Sequence, residues 1–447
     1  MTTVALHTLG CRLNHSETEV LARSFRQCGY TVVTANGAAD VLVVNTCTVT
    51  AHSDSKSRQT IRSLHRKHPD AEIAVIGCYA QMAPEQIAAL AGVRVVVGSE
   101  EKLRLPDLLE QARQHNDPLV LAPTPRRRTF YAPIAPLFPE TSSAPADTEA
   151  LARSGLHTRA ALKIQDGCDF MCSFCIIPFA RGRSRHRDFG NLLEEARMLA
   201  EEGVREVVLT GVNVGTYEES GRTIVEVVDA LAEQSGLARV RISSIEPTTV
   251  PPALFERMAD ATHPLVPFLH LPLQSGAEAI LQQMKRRYSV RDYAAEVEHA
   301  CRAVPDLCVG TDVMVGFPGE TPEDFEETRA LLADLPVSYF HVFPFSVRKN
   351  TPAERMDTQL PPEVKQERGA TLRSLSQRKQ RMFQERFLGR TRTVLCEAPK
   401  ADGRMGGFTD NYLRVELKGG FPELHNQLVP VQLSHIRGAV LVGQAAT

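Results

Sequence analysis

Cys168, Cys172 and Cys175 form a C-x3-C-x2-C set, "DGCDFMCSFCIIP", directly after the strand-like run "ALKIQD". Three thiols packed into one short loop at a strand end constrain this chain more than any other feature. No stretch approaches the roughly 18 apolar residues of a membrane span. The opening "MTTVALHTLGC" lacks the basic, apolar and small-residue order of an export leader. The expectation is therefore a cytoplasmic protein with no membrane contact, whose ten cysteines serve as metal ligands or nucleophiles rather than disulfides. Three thiolates at this spacing can hold three irons of a [4Fe–4S] cube and leave the fourth iron open. The alternative is a structural zinc site, which needs a fourth ligand; His186 is the nearest candidate. A nucleophilic cysteine would need one thiol and a base, not three thiols.

Around this loop the chain alternates strand and helix patterns. In residues 1–120, "VALHTLG", "DVLVVNT", "EIAVIG" and "VRVVVG" read as buried strands separated by polar, helix-period segments. That pattern predicts a parallel sheet with helices on its faces. Residues 121–156 are proline-rich and read as a linker. Residues 157–388 carry six strand-like runs with amphipathic helices between them, then a basic, helix-prone bridge over 362–388. Six βα units predict a partial (β/α)6 barrel, although a doubly wound sheet also satisfies the count. Residues 389–446 change to short strands and Gly-rich turns, predicting a small β-barrel. The fold class is α/β with a C-terminal β-barrel.

Three further cysteines each follow a strand: Cys11 after "VALHTLG", Cys47 after "VLVVNT" and Cys78 after "EIAVIG". Strands of a parallel sheet end on one edge, so these thiols face one crevice. They could bind a second cluster, or they could be buried cysteines that pack as small hydrophobes. Cys28, Cys301, Cys308 and Cys396 fall singly in helix- or strand-like segments and read as packing residues.

The C-x3-C-x2-C set at the first strand of a partial barrel resembles the radical S-adenosylmethionine superfamily. "LTGVN", "SSIEP" and "TDVMVGFPGET" match its later rim segments. The resemblance implies that Cys168, Cys172 and Cys175 ligate a [4Fe–4S] cluster whose open iron binds S-adenosylmethionine, cleaved to a 5′-deoxyadenosyl radical. Phe174 would lie beside the adenine, with Gly211, Asn213, Ser243, Glu246, Asp312 and Gly316 as further cofactor-binding candidates. "GCRLNHSETE", "NTCTVT", "GCYAQ" and "HLPLQSGAEAILQQMKRRY" are similar to the methylthiotransferases, nearly across the whole chain. That likeness implies a second [4Fe–4S] cluster on Cys11, Cys47 and Cys78 supplying a methylated sulfur, with electrons from a flavodoxin- or ferredoxin-type protein. His270 and Gln274 are candidate substrate contacts at the rim.

The stretch "GGFTDNYLRV" resembles the TRAM domain, an RNA-binding module of the tRNA-acting branches. Arg390, Arg392, Arg404, Tyr412 and Arg414 are candidates for an open RNA-binding face. "RGRSRHR" (181–187), "MKRRY" (284–288) and "RKQRMFQERFLGRTR" (378–392) read either as solvated faces or as a local RNA footprint in a chain of net charge −2. Several segments look most like the subgroup acting on N6-threonylcarbamoyladenosine at position 37 in the tRNA anticodon arm. One departure is "CDFMC", where that subgroup commonly has Asn and an aromatic between the cysteines. The other branches act on isopentenyladenosine 37 or on an aspartate of a ribosomal protein. A non-enzymatic RNA-binding protein with structural metal sites is the rival from a different class. The chain is expected to act as a monomer.

Overall fold

The computed structural model describes all residues except 36, 126–128, 133–157, 235, 401, 420–421 and 447. Most of the stretch read as a linker lies outside the described residues. Its beginning is tied down: Leu121 ends the last strand of the first sheet, and Gln81 Nε2 donates to the carbonyls of Ala122 and Pro123. Thr129–Phe130 then pairs with Arg185–Arg187. The stretch read as a linker is thus tied into the fold at its start.

The first sheet holds β1 (Thr3–Thr8), β2 (Thr31–Val33), β3 (Val41–Thr46), β4 (Glu72–Gly77), β5 (Val93–Val97) and β6 (Leu119–Leu121), in the order β2-β1-β3-β4-β5-β6. Every pairing is parallel. Residues 41–46 are buried on both faces, which is why that run is apolar and β-branched rather than alternating. The two edge strands escaped sequence reading because each is only three residues long. Helix α1 (Arg12–Gln27) follows β1, and α2 (Ala51–Lys67) follows β3 with Thr50 accepting from the Ser53 N–H as its cap. The short α3 (Cys78–Met82) follows β4.

The central strands are β7 (Arg159–Lys163), β8 (Glu206–Thr210), β9 (Arg239–Ile242), β10 (Phe268–His270), β11 (Cys308–Val315) and β12 (Tyr339–Pro344). They form two parallel three-stranded sheets, β9-β8-β7 and β10-β11-β12. Single bridges Val240–Leu265 and Ser244–His270 join the two into one open six-stranded barrel. This decides between barrel and doubly wound sheet. α1 packs along β7, and the long α5 (Pro362–Glu385; α4, Ile177–Arg181, is described below) packs along β12.

The C-terminal strands β13 (Thr391–Cys396), β14 (Met405–Thr409), β15 (Arg414–Leu417), β16 (Leu428–Arg437) and β17 (Val440–Ala445) close a barrel in the order β13-β14-β15-β17-β16. Gly407 permits this closure: a side chain there would collide with the Leu395 carbonyl of the neighbouring strand. The barrel docks on the central domain through two buried arginines. Arg239 donates to the carbonyls of Phe408 and Thr393, and Arg241 to that of Asp410 while its Nε holds Glu206 at 2.7 Å. Among the described residues no helix is long and apolar enough to cross a membrane.

Arg241→Ala removes the nearest cation from the buried Glu206 and one clamp on the barrel. The variant should lose about 3 kcal/mol of stability, read as a lower urea midpoint, with faster hydrogen exchange in residues 405–415.

Candidate active site

Parallel strands deliver both cysteine sets to the same end of the molecule. Gly10, at φ +102°, lets the turn into α1 pass against Cys47; a Cβ there would sit 2.5 Å from the Cys47 Cβ. Gly77, at φ +97°, does the same before Cys78, where a Cβ would meet Asn45 Oδ1 at 2.5 Å. Asn14 ties these turns together, its Nδ2 donating to the carbonyls of Leu9 and Thr46. Cys47 and Cys78 are buried, and Cys11 is exposed.

Cys168, Cys172 and Cys175 lie in a loop after β7. The Phe170 N–H donates to Cys168 Sγ, and Arg286 Nη1 lies 3.2 Å from Cys172 Sγ. The Arg286 guanidinium is also bound to Glu246 and, at 3.0 Å, to the Tyr288 hydroxyl, which donates to the carbonyls of Pro272 and Leu273. A fixed cation therefore touches the Cys172 sulfur. Burial raises the Cys175 thiol to about 12 and Cys168 to about 11, and the neighbouring thiols push in the same direction. Burial likewise raises Cys78 to about 11, against the pull of Arg181 and Lys102. Such thiols are protonated at neutral pH unless a metal claims the sulfur.

One cysteine of each set borders a cavity, and the two cavities share walls. A cavity of about 420 Å³ is lined by Cys11, Arg12, Gly211, Ser243, His270 and Asp312, among others. A second, of about 220 Å³, is lined by Phe174, Cys175, Gln274, Met314 and Phe345, among others. Val49, Ile177 and Asp312 belong to both. Ser243 Oγ and His270 Nε2 are buried without a hydrogen bond, although His270 Nε2 lies 3.1 Å from Asp312 Oδ1. Asn213 Oδ1 accepts from the Glu246 N–H and the Thr249 hydroxyl, while its Nδ2 is also unsatisfied. Unsatisfied polar groups beside a roomy cavity fit a polar ligand such as S-adenosylmethionine.

Behind Cys11, Cys47 and Cys78 lies a buried charge network. Glu17 is bound by Lys102, Lys163 and Arg181; Asp166 by Lys163, Arg181 and Arg185. All six side chains are under 10 % exposed, and Arg181 sits at the end of α4. Burial opposes ionisation of Glu17 and Asp166, yet these cations hold both carboxyls well below the usual range. Four cations against two carboxylates leave a positive excess beside Cys78. An anionic thiolate cluster would supply the missing negative charge, so the donor set and its surroundings both fit one.

The structure corrects several sequence readings. "RGRSRHR" is not an exposed footprint: Arg181, Arg185 and Arg187 are buried in ion pairs, leaving Arg183 exposed. In "MKRRY", Arg286 points at Cys172. His186 packs edge-on against Tyr217 and accepts from the Glu218 N–H, away from the thiols. Gly316, at φ +72°, packs on Lys365 as a turn and lines neither cavity. Arg392 pairs with Asp306 and Asp410, Arg414 with Glu397, and Tyr412 stacks on Phe408, so these three serve docking and barrel contacts rather than an open face. Arg390 and Arg404 are more than half exposed. Cys28 is exposed at the end of α1 rather than packed. Asn14, Glu17 and Lys102 went unnoticed in the sequence, and Arg286 was read only as part of a basic run; the Asn-x-x-Glu spacing in "GCRLNHSETE" was the available signal for the first two.

Residues 162–332 match the Radical SAM superfamily, and residues 3–98 match the Uncharacterized protein family UPF0004. The chain is 38% identical over 428 residues to the threonylcarbamoyladenosine tRNA methylthiotransferase MtaB of Bacillus subtilis, covering 94% of this chain and 91% of that one. The chain belongs to the radical SAM tRNA methylthiotransferases. It therefore modifies tRNA by radical chemistry that uses S-adenosylmethionine and a [4Fe–4S] cluster. The Aquifex aeolicus protein of the same name is 36% identical over 93% of this chain and 97% of its own length. The tRNA-2-methylthio-N(6)-dimethylallyladenosine synthase of Cereibacter sphaeroides is 35% identical over 93% of each chain. Among solved structures, the radical S-adenosylmethionine methyltransferase TsrM from Kitasatospora setae aligns with a TM-score of 0.57 at 16% identity. The match covers 79% of this chain and 77% of that one, a likeness of fold alone.

The raised thiols make a pH prediction. They stay protonated in the folded metal-free protein while unfolded thiols ionise near 9, so this stabilisation is present below pH 9 and lost as pH rises toward 11–12. Metal-free wild type should lose more stability between pH 8.5 and 10.5 than the Cys168→Ala/Cys172→Ala/Cys175→Ala variant, compared by urea midpoints.

Proposed function

We propose that this chain methylthiolates C2 of N6-threonylcarbamoyladenosine at position 37 of tRNA. The observation that carries the reading is that Cys11 of one trio and Cys175 of the other line cavities with common walls. The relatives named for threonylcarbamoyladenosine, at 32–38% identity, support this substrate. Those named for dimethylallyladenosine, at 31–35%, keep that nucleoside as the second reading.

Cys168, Cys172 and Cys175 would hold one [4Fe–4S] cluster, and Cys11, Cys47 and Cys78 a second. When bound, the clusters and S-adenosylmethionine supply the hydrogen abstraction and sulfur donation that an unactivated C–H carbon demands. The chain's own residues prepare the site. Arg286, locked by Glu246 and Tyr288, places a fixed positive charge on the Cys172 sulfur. Phe174, Met314 and Phe345 give the second cavity apolar walls that exclude water from the reacting carbon. Gly211 and Ser243, directly after β8 and β9, and Asp312, within β11, offer polar contacts to S-adenosylmethionine, while His270 and Gln274 face the substrate. The exposed Arg390 and Arg404, with Arg373, Arg378 and Arg381 of α5, provide a basic surface for the anticodon arm. A flavodoxin- or ferredoxin-type protein delivers the electrons.

Anaerobic reaction with undermodified tRNA, followed by mass spectrometry of its nucleosides, tests the reading. The expected product is the 2-methylthio derivative of threonylcarbamoyladenosine; exclusive methylthiolation of isopentenyladenosine would replace it with the second reading. Reconstituted wild type should hold about eight irons per chain. Cys47→Ala should hold about four, still cleave S-adenosylmethionine and form no methylthio product.

A further inference from the structure

Among the described residues, the wall of the larger cavity carries one cation without a carboxylate partner, the exposed Arg12. Of its charged groups, Arg181 is saturated by Glu17, Asp166 and Asn14. Asp312 faces His270 at 3.1 Å. Arg12 follows Cys11 directly and lines the same wall. Its guanidinium is bound to the Tyr412 hydroxyl and lies 5.5 Å from that ring's centroid. Among the described residues it forms no ion pair with any carboxylate. Tyr412 is a rigid prop: its ring stacks on Phe408 at 4.9 Å and packs against Phe268 at 4.7 Å. A guanidinium held through one nitrogen keeps the rest of its five-donor fork available for a planar anion.

The competing N6 substituents differ in one respect that this cation can read. An isopentenyl group is hydrocarbon, whereas a threonylcarbamoyl group ends in a carboxylate. A carboxylate entering a cavity that already contains Asp312 is repelled unless a cation offsets it. A hydrocarbon in the same place would leave Arg12 desolvated and unpaired, which penalises the wrong substrate. Burial holds the His341 imidazole below its ordinary pKa; Asp312 opposes this, and His270 and Arg12 reinforce it. His341 therefore adds no competing positive charge at neutral pH.

We propose that Arg12 is the specificity-determining residue, binding the terminal carboxylate of the N6 substituent of adenosine 37. This rests on the threonylcarbamoyladenosine reading above. The test measures binding of anticodon stem-loops to reconstituted enzyme by fluorescence anisotropy at fixed salt. Four probes carry threonylcarbamoyladenosine, its carboxylate methyl ester, isopentenyladenosine or plain adenosine at position 37. Wild type should bind the acid on the order of 10- to 100-fold more tightly than the ester. Arg12→Gln should erase that difference and leave affinity for plain adenosine unchanged, while Arg12→Lys should keep part of it. Unchanged cluster absorbance in both variants establishes that the site is intact. An acid-over-ester preference surviving in Arg12→Gln overturns the assignment and leaves the substrate reading standing. Equal weakening of all four probes makes Arg12 a phosphate contact and also overturns it. Wild-type preference for the isopentenyl probe overturns both.

Discussion

The buried contact of Glu17 and Asp166 with Arg181, Lys102, Lys163 and Arg185 is the constraint on which the site depends. It joins α1 of the first domain to the first strand and cysteine loop of the second, so it fixes the two domains in one register. Charges this deep are unfavourable unless each is matched. Here they match one another only in part, and the remainder borders the thiol edge of the first sheet. The same ionic joint thus seals the interface and sets the potential around Cys78.

Topology does the rest. Both sheets are parallel, so every loop after a strand emerges on one side, and glycines at Gly10 and Gly77 let two of those loops press against their neighbours. Neither cysteine trio would face a common space if either sheet were antiparallel. α1 packs along β7, which brings the first domain's Cys11 and Arg12 to a cavity shared with the barrel strands.

Much of this was legible because burial in a parallel sheet leaves a simple trace. Runs such as "DVLVVNT" and "EIAVIG" carry apolar residues on both faces, and the cysteines directly after them mark the functional edge. Edge strands of three residues and the Gly-rich β14 leave no such trace. Arginines were the main source of error. Arg181 meets Glu17, 164 positions away, and Arg286 meets Glu246, 40 positions away. A run of basic letters does not reveal that its partners are buried acids on distant elements. Arg12 was invisible for the opposite reason: one cation in a polar helix start looks ordinary until its lack of a partner is seen.

Part of the grip on the C-terminal barrel falls on its main chain, beside side-chain contacts such as Arg392 with Asp306 and Asn411 with the Asp306 carbonyl. Arg239 and Arg241 reach the carbonyls of Thr393, Phe408 and Asp410, groups that every amino acid carries. Side chains on the barrel's outer surface can consequently drift without unseating it. The module can be retuned for different nucleic-acid shapes while the radical chemistry beneath stays untouched, a division of labour written into which atoms form the joint.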